Sequence, residues 1–402
     1  MATPAQRPNT WTLDEWYDQA VAGTQGEYTG LGQLYAVGYG QGGRLGQNVA
    51  GPTTRISSPA QIPGTSWITT AQTGACVLSI KSDGTLWAWG KQDDHYPMGL
   101  NNDTRYSSPT QVGSDSNWSF ISTGVHNQGV VGATKTDGTL WTWGNNEYGT
   151  LGDNTDTSRS SPTQIPGTDW NTSIGGIAAG NYGFMALKTD GALYCWGGGP
   201  GVPRNSYPIS RNMSSPVLIG AGSSPWSILP NTHFNDWACI RADGTLWSAG
   251  GNQYGQLGLN NTTTYSSPKQ VGTDTTWNQV GGGDNHMGGI KTDGSLWMWG
   301  NTVWGSLGLN QGPGSNISSP TQVGTNTTWN RVSFSYGACI ATKTDGSLWT
   351  WGNNYQGSRA QNNAAPTGNL SSPTQIGTDT DWNIDNSRSL IGQSISFLTK
   401  FG

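Results

Sequence analysis

One short string recurs along this chain with little change: KTDGTLWTWGNN at 135–146, KTDGSLWMWGN at 291–301 and KTDGSLWTWGNN at 343–354. A period of that kind limits the fold to a stack or ring of like units, because each unit must bury its apolar faces against the next. Three landmarks fix the period. SSP occurs at 57–59, 107–109, 160–162, 214–216, 266–268, 318–320 and 371–373. A tryptophan follows each one: Trp67, Trp118, Trp170, Trp226, Trp277, Trp329 and Trp382, spaced by 51, 52, 56, 51, 52 and 53 residues. DGxL stands at 83–86, 137–140, 190–193, 243–246, 293–296 and 345–348, with a degenerate copy, LGQLYAVG, at 31–38.

The unit that starts at Trp118 reads as four short strands. WSFISTG and GVVGATK are the first two. Asp137-Gly138 is expected to supply the positive-φ residues of a two-residue hairpin turn. TLWTWG is a third strand with strict alternation, Leu140 and Thr142 to one side, Trp141 and Trp143 to the other. A Gly/Asn-rich loop leads to SSPTQIPG, an outer strand with Pro162 expected at its start, where a missing N–H is tolerated. Four antiparallel strands per unit, seven times over, predict an all-β chain folded as a seven-bladed β-propeller. Of the 21 tryptophans, 17 fall on the repeat landmarks, so they are read as packing residues filling the space between blades.

The ends suggest how the ring closes. The last unit stops at LTKFG, after its two inner strands, and the first begins at its third strand, GQLYAVG. One blade is therefore expected to be stitched from both termini, which removes a free sheet edge. Residues 29–402 form the propeller in this reading, and residues 1–28 lie outside it. There Thr12 and Glu15 make a capping-box pattern, and Leu13, Trp16, Tyr17 and Ala20 follow at helical spacing up to Gly23. That segment reads as a short helix that anchors the chain through Trp11, Trp16 and Tyr17, or that folds back on its own propeller.

Composition removes several function classes. Charged residues make up 11% of the chain, the net charge is −5, and no Lys/Arg block occurs, so a nucleic-acid footprint is not visible. No apolar run is long enough for a membrane span, and the N-terminus lacks the apolar segment of a signal peptide. Cys76, Cys195, Cys239 and Cys339 lie far apart without metal-ligand spacing and read as buried thiols.

The pattern Gly-x-x-His … Asp-Gly-x-Leu-Trp-x-Trp-Gly-x-Asn … Gly-x-Leu-Gly resembles the repeat of the regulator of chromosome condensation family, over residues 29–402. The nearest matches are GGNQYGQLGLN at 250–260 and GDNHMGGIKTDGSLWMWGN at 283–301. The resemblance implies a seven-bladed propeller. It does not imply one function, since members include an exchange factor for a small GTPase, an ultraviolet photoreceptor, ubiquitin-ligase accessory domains and a β-lactamase inhibitor. The photoreceptor's Gly-Trp-Arg-His-Thr motif is missing here, as are the exchange factor's wedge hairpin and basic tails. His286 keeps the family histidine, His126 is one place early, and Tyr182 and Tyr336 stand near the corresponding positions.

No catalytic constellation emerges. His95, His126, His233 and His286 fall in different units, and most Asp residues belong to DG turns. DNTD at 153–156 loosely suggests calcium but lacks the Gly and terminal Glu of a calcium loop. Neither an enzyme, a metal nor a cofactor is expected. Candidate binding residues fall in two groups. Tyr148, Tyr254 and Trp304 share one repeat position after WG, with Tyr355 one residue early; they are either a ring of exposed aromatics for protein or glycan, or rings laid on the neighbouring blade. Arg204, Tyr207, Arg211 and Arg359 stand in the irregular loops 197–213 and 356–370, which carry recognition or have drifted.

These features suit a non-enzymatic structural or attachment protein of a virus particle, a bacteriophage tail, fibre or capsid-decorating protein. It would join other virion proteins through residues 1–28 and present the propeller to a host-surface glycan or protein. The alternatives are a bacterial protein-binding propeller of inhibitor type, or a eukaryotic-type exchange-factor or ubiquitin-pathway scaffold, with the cytoplasm as the alternative location.

Overall fold

The computed structural model describes residues 33–400 apart from 49–54, 74–75, 92–96, 125–128, 174, 181, 199–211, 221–223, 230–235, 284, 313, 315, 335–336, 354–368, 381 and 384–394. The expected leading helix, with Trp11, Trp16 and Tyr17, lies outside the described residues. Among those described, the chain is all-β; helical geometry is limited to two short 3-10 turns, Gln41–Gly43 and Val303–Gly305. Among the described residues no helix is long and apolar enough to cross a membrane.

The strands assemble into four-stranded antiparallel sheets, the blades of a β-propeller. Six blades take four successive strands each and span residues 67–111, 118–165, 177–219, 226–270, 277–322 and 329–376. A further four-stranded sheet joins the two ends of the chain, in the order Arg55–Gln61, Gln33–Tyr39, Ile395–Lys400, Trp382–Asn383. Gln33–Tyr39 pairs with Ile395–Lys400 without a slip, from Gln33 opposite Lys400 to Gly38 opposite Ile395. Leu34 and Ala36 of this sheet share one buried cluster with Trp67, Val77 and Trp89 and with Ile340 and Leu348. The sheet therefore sits between blade 67–111 and blade 329–376.

The blade of Trp118 shows why the third strand is so apolar. Its strands are Trp118–Thr123, Val131–Lys135, Leu140–Gly144 and Arg159–Ile165. Leu140 clusters with residues of the following blade, such as Ile177 and Phe184. Trp143 clusters with Cys76, Leu78 and Met98 of the preceding one. Both alternating sets of side chains meet a neighbouring blade, so Leu140, Thr142 and Trp143 are all fully buried. The outer strand is only half-covered along most of its length, and its composition is accordingly Ser, Thr, Pro and Gln.

Two local expectations are corrected. Gly138 has φ +83°, but Asp137 does not enter the positive-φ region. Gly138 N–H donates to the Lys135 carbonyl and Lys135 N–H to the Thr139 carbonyl. That is a three-residue loop with glycine in the left-handed position, and the Asp acts through its side chain. Pro162 lies inside its strand rather than at its start, where the register slips between Arg159 and Thr163. A bulge on an outer strand leaves the residue unpaired, so the missing N–H costs nothing there.

Candidate functional site

At one end of five blades the DG turn builds a relay of side chains. Asp137 Oδ1 accepts from the Thr139 backbone N–H at 3.0 Å and from its hydroxyl at 2.7 Å, and that hydroxyl accepts from Trp141 Nε1 at 2.9 Å. The same relay runs Asp83–Thr85–Trp87, Asp243–Thr245–Trp247, Asp293–Ser295–Trp297 and Asp345–Ser347–Trp349. In blade 177–219 both partners change together: Ala192 has no hydroxyl and Tyr194 no indole N–H. The donated hydroxyl holds the carboxyls of Asp83, Asp137, Asp243, Asp293 and Asp345 below their ordinary value.

Beside each relay a cation lies between two aromatic rings. Lys135 Nζ is 4.6 Å from the Trp118 ring centroid and 4.1 Å from that of Trp141. Lys291 and Lys343 reach 3.7 Å from Trp297 and Trp349. Arg241 takes the place between Trp226 and Trp247. Such contacts stabilise a cation by roughly 0.5–2 kcal/mol, more as water is removed. Asp115, Asp169 and Asp274 pair with Lys135, Lys188 and Lys291 at 2.8, 2.8 and 2.6 Å. The sequence carried a signal for this bracket that the repeat alignment passed over: a Lys or Arg stands two residues before every DG.

At the other end of the blade, the loop after WG reaches the next blade. The residue before the Leu of Gly-x-Leu-Gly (Pro97 in the variant Tyr-Pro-Met-Gly) offers its carbonyl to the deeper tryptophan of that blade. Trp89 donates to Arg44, Trp143 to Pro97, Trp196 to Thr150, Trp299 to Gln256 and Trp351 to Ser306, each at 2.9 Å. The second glycine lies under the indole; a Cβ on Gly99 would come 2.9 Å from Trp143 Nε1. Two residues further on, an Asn in left-handed conformation (Asn48, Asn101, Asn154, Asn260 and Asn310) donates its N–H to the first Ser of the next blade's SSP. SSP is thus a docking strip for the preceding blade's loop, a role its sequence alone did not disclose.

Two of the loop aromatics lie where blades meet. Tyr148 packs edge-on against Tyr182 of the following blade, centroids 5.0 Å apart, and Trp304 lies against the backbone at Gly337. Tyr148, Tyr254 and Trp304 are each part-buried. Arg204, Tyr207, Arg211, Arg359 and Tyr355 lie outside the described residues, as do His95, His126, His233 and Tyr336. His286 is buried, with Nε2 3.8 Å from the Cys339 thiol. Asp153 of DNTD is taken up by Thr155, Asn146 and Arg159. Among the described residues no group of three or more His, Cys, Asp or Glu could hold a metal ion. Burial pushes the Cys195 and Cys339 thiols well up, which suits packing rather than nucleophilic attack.

The regulator of chromosome condensation (RCC1) repeat matches residues 137–187 and 243–290, and a second form of it matches 176–200. Human E3 ubiquitin-protein ligase HERC2 is 25% identical over 358 residues, 88% of this chain and 7% of the ligase. The ultraviolet-B receptor UVR8 of Arabidopsis thaliana is 26% identical over 256 residues, 60% of this chain and 53% of the receptor. The chain thus spans about half or less of the length of these relatives. Prp20p of Saccharomyces cerevisiae, solved as a crystal structure, superposes with a TM-score of 0.75 at 17% identity, covering 93% of this chain and 92% of that one. At that identity the likeness is one of fold. The matched segments contain the Asp137–Thr139–Trp141 and Asp243–Thr245–Trp247 relays, and the chain is a β-propeller in which these segments match the regulator of chromosome condensation repeat.

Proposed function

We propose that this chain is a protein-binding module without catalytic activity of its own: a closed seven-bladed ring that presents the loops after WG to a protein partner, with residues 1–28 as a docking segment. The observation that carries this reading is the set of aromatics at one repeat position, Tyr148, Tyr254 and Trp304. Each is part-buried, neither wholly covered nor fully exposed. Part-exposed rings held at fixed positions are the side chains in which interface energy concentrates. The described Asp residues of the DG turns are ionised acceptors already engaged by their own loops, which favours binding over acid–base chemistry. The work on Prp20p concerns its binding to Gsp1p and histones, which supports a protein as the partner class. The narrower reading, attachment to a virus particle through Trp11, Trp16 and Tyr17, is supported by composition and by the sequence of residues 1–28.

The test compares the full chain with the triple variant Tyr148→Ala, Tyr254→Ala, Trp304→Ala in cross-linking mass spectrometry of the native assembly. A stoichiometric partner cross-linked to the WG loops, and lost in the triple variant while that variant stays folded, is the expected result. Unchanged capture by that variant would remove the loop face from the interface. Deletion of residues 1–28 should leave a stable propeller that no longer assembles; a large loss of stability would place the segment on its own blades.

A further inference from the structure

Two neighbouring blades build the same cation bracket and differ in the group that meets the lysine. In blade 277–322, Lys291 Nζ stands 5.0 Å from the Trp277 ring centroid and 3.7 Å from that of Trp297. In blade 329–376, Lys343 Nζ stands 4.9 Å from Trp329 and 3.7 Å from Trp349. The loop before the inner strand also keeps its form. Asp274 Oδ1 accepts from the Thr276 N–H at 3.0 Å and from its hydroxyl at 2.6 Å. Asn326 Oδ1 accepts from the Thr328 N–H at 2.8 Å and from its hydroxyl at 2.5 Å.

What changes is the other branch of that side chain. Asp274 Oδ2 accepts from Lys291 Nζ at 2.6 Å. The oxygen of Asn326 is engaged by Thr328, so the branch left over is Nδ2, a donor. In the same frame, an ammonium and an amide N–H therefore flank the place that a carboxylate oxygen fills one blade earlier.

The turn carboxylate does not fill that place. Burial holds the Lys343 ammonium below the usual lysine value, and Asp345, two residues on, acts the other way. Asp345 is exposed and its Oδ1 is taken up by Ser347. Asp293 stands likewise two residues after Lys291, held by Ser295, and Asp274 pairs with Lys291 nonetheless. A DG-turn aspartate thus leaves room for a second carboxylate at the bracket.

We propose that Lys343 and Asn326 form a binding site for a carboxylate supplied from outside the chain. One oxygen of the ligand takes the position that Asp274 Oδ2 holds in the adjacent blade and accepts from Lys343 Nζ, while Asn326 Nδ2 donates beside it. The loop and both indoles are already in place, so little has to be ordered on binding. Asn326 is exposed, which leaves the site open to an acidic side chain of a partner protein and to a free small acid alike. A phosphate would bring more charge toward Asp345 than a carboxylate does. The site lies at the opposite end of the blade from the loops after WG and does not depend on the partner face proposed there.

The experiment follows trace acylation of the native full chain by N-hydroxysuccinimidyl acetate at constant ionic strength, each lysine read by peptide mass spectrometry. Lys291, whose bracket is filled, is the internal reference. Replacing chloride by acetate should slow Lys343 relative to Lys291, by up to about tenfold at saturation, because a facing carboxylate raises a lysine's pKa and leaves less free amine. Asn326→Asp should produce that slowing in chloride and abolish the response to acetate. The capped peptide Ala-Glu-Ala separates the two sources. Slowing at a lower concentration than acetate requires assigns the site to a side chain of a partner; slowing at an equal or higher concentration assigns it to a free acid. No slowing by either probe, equal slowing by inorganic phosphate, or a response to acetate that survives in Asn326→Asp would overturn the proposal.

Discussion

Trp143 donates its indole N–H to the carbonyl of Pro97, 46 residues earlier and one blade back, at 2.9 Å. Trp141, two residues away on the same face of the strand, donates instead within its own blade, to Thr139. Where a blade carries both tryptophans, the pair therefore divides its work: one ring closes the turn and caps a lysine, and the other joins two blades. Trp143→Ala empties a fully buried site and should destabilise by about 3–5 kcal/mol. Trp141→Ala, at a half-buried ring, should cost about 1–2 kcal/mol. Denaturant titration of both variants checks the order, and a loss under about 1 kcal/mol for Trp143→Ala would mean that the ring does not hold the junction.

Two blades share the pentapeptide T-x-T-T-W before the inner strand, with Asp274 in one and Asn326 in the other. Asp274 pairs with Lys291 at 2.6 Å. Asn326 keeps the hydrogen bonds to Thr328 but brings no charge, and burial pulls the Lys343 ammonium below the usual lysine value. Asn326→Asp should raise the Lys343 pKa and stabilise the chain by up to about 1 kcal/mol at neutral pH, the usual worth of a partly exposed pair. Measured destabilisation would show that Lys343 sits too far from position 326 to use the charge.

The Asp274 pair also sets a pH dependence. The hydrogen bond from Lys291, then that from the Thr276 hydroxyl, lowers the Asp274 carboxyl to about 2. A carboxyl lowered on folding contributes stability that is fully present above its unfolded value of 3.8 and is lost as the pH falls through about 2. Over a third of the Asp274 side chain is exposed, so the contribution is discounted for screening to about 1 kcal/mol. Asp274→Asn should therefore be less stable than the parent at pH 5 by about that amount, with the gap closing toward pH 2. A gap that widens as the pH falls would reverse the assignment.

The sequence disclosed the blades because their determinants are local and repeated. Alternation in LWTWG, the DG turn and the Trp spacing each act within one unit and could be read off the string. The links between units were harder to see. The bond from Trp143 to Pro97 joins residues with no sequence relation, and the tie of Asn154 to Ser214 gives SSP a partner in another repeat. Trp237, which falls on no landmark, makes sense only beside Ala249, across a strand pair. Of the candidate site, the shared position of Tyr148, Tyr254 and Trp304 was legible; that Tyr148 and Trp304 lie against the following blade required the packing.

Glycine in the DG turn answers two demands at once. Gly138 has φ +83°, and a Cβ there would come 2.2 Å from the Thr168 carbonyl oxygen. Gly113 has φ +65°, and a Cβ there would meet nothing within 4 Å. Gly113→Ala should cost only the left-handed strain, about 1–2 kcal/mol. Gly138→Ala adds a backbone collision and should cost clearly more, with thermal melts of the two variants compared side by side. Equal losses would show that the turn shifts to make room.

The sheet built from both chain ends makes the last residues a structural matter. Ile395–Lys400 is the strand between Gln33–Tyr39 and Trp382–Asn383, so its removal leaves Gln33–Tyr39 unpaired along one edge and strands Trp382–Asn383 without a neighbour. Leu34 and Ala36 sit in the cluster that also holds Trp67, Trp89, Ile340 and Leu348, so loosening Gln33–Tyr39 reaches the blades on both sides. Deleting residues 390–402 should therefore lower the melting temperature of the whole propeller, not only fray one sheet, because disrupting this sheet uncovers apolar faces of the two blades it packs against. Adding the missing strand back as a separate peptide of residues 390–402 should restore part of the loss in a concentration-dependent way. A truncated chain with unchanged melting temperature would show that the sheet is not a working member of the ring.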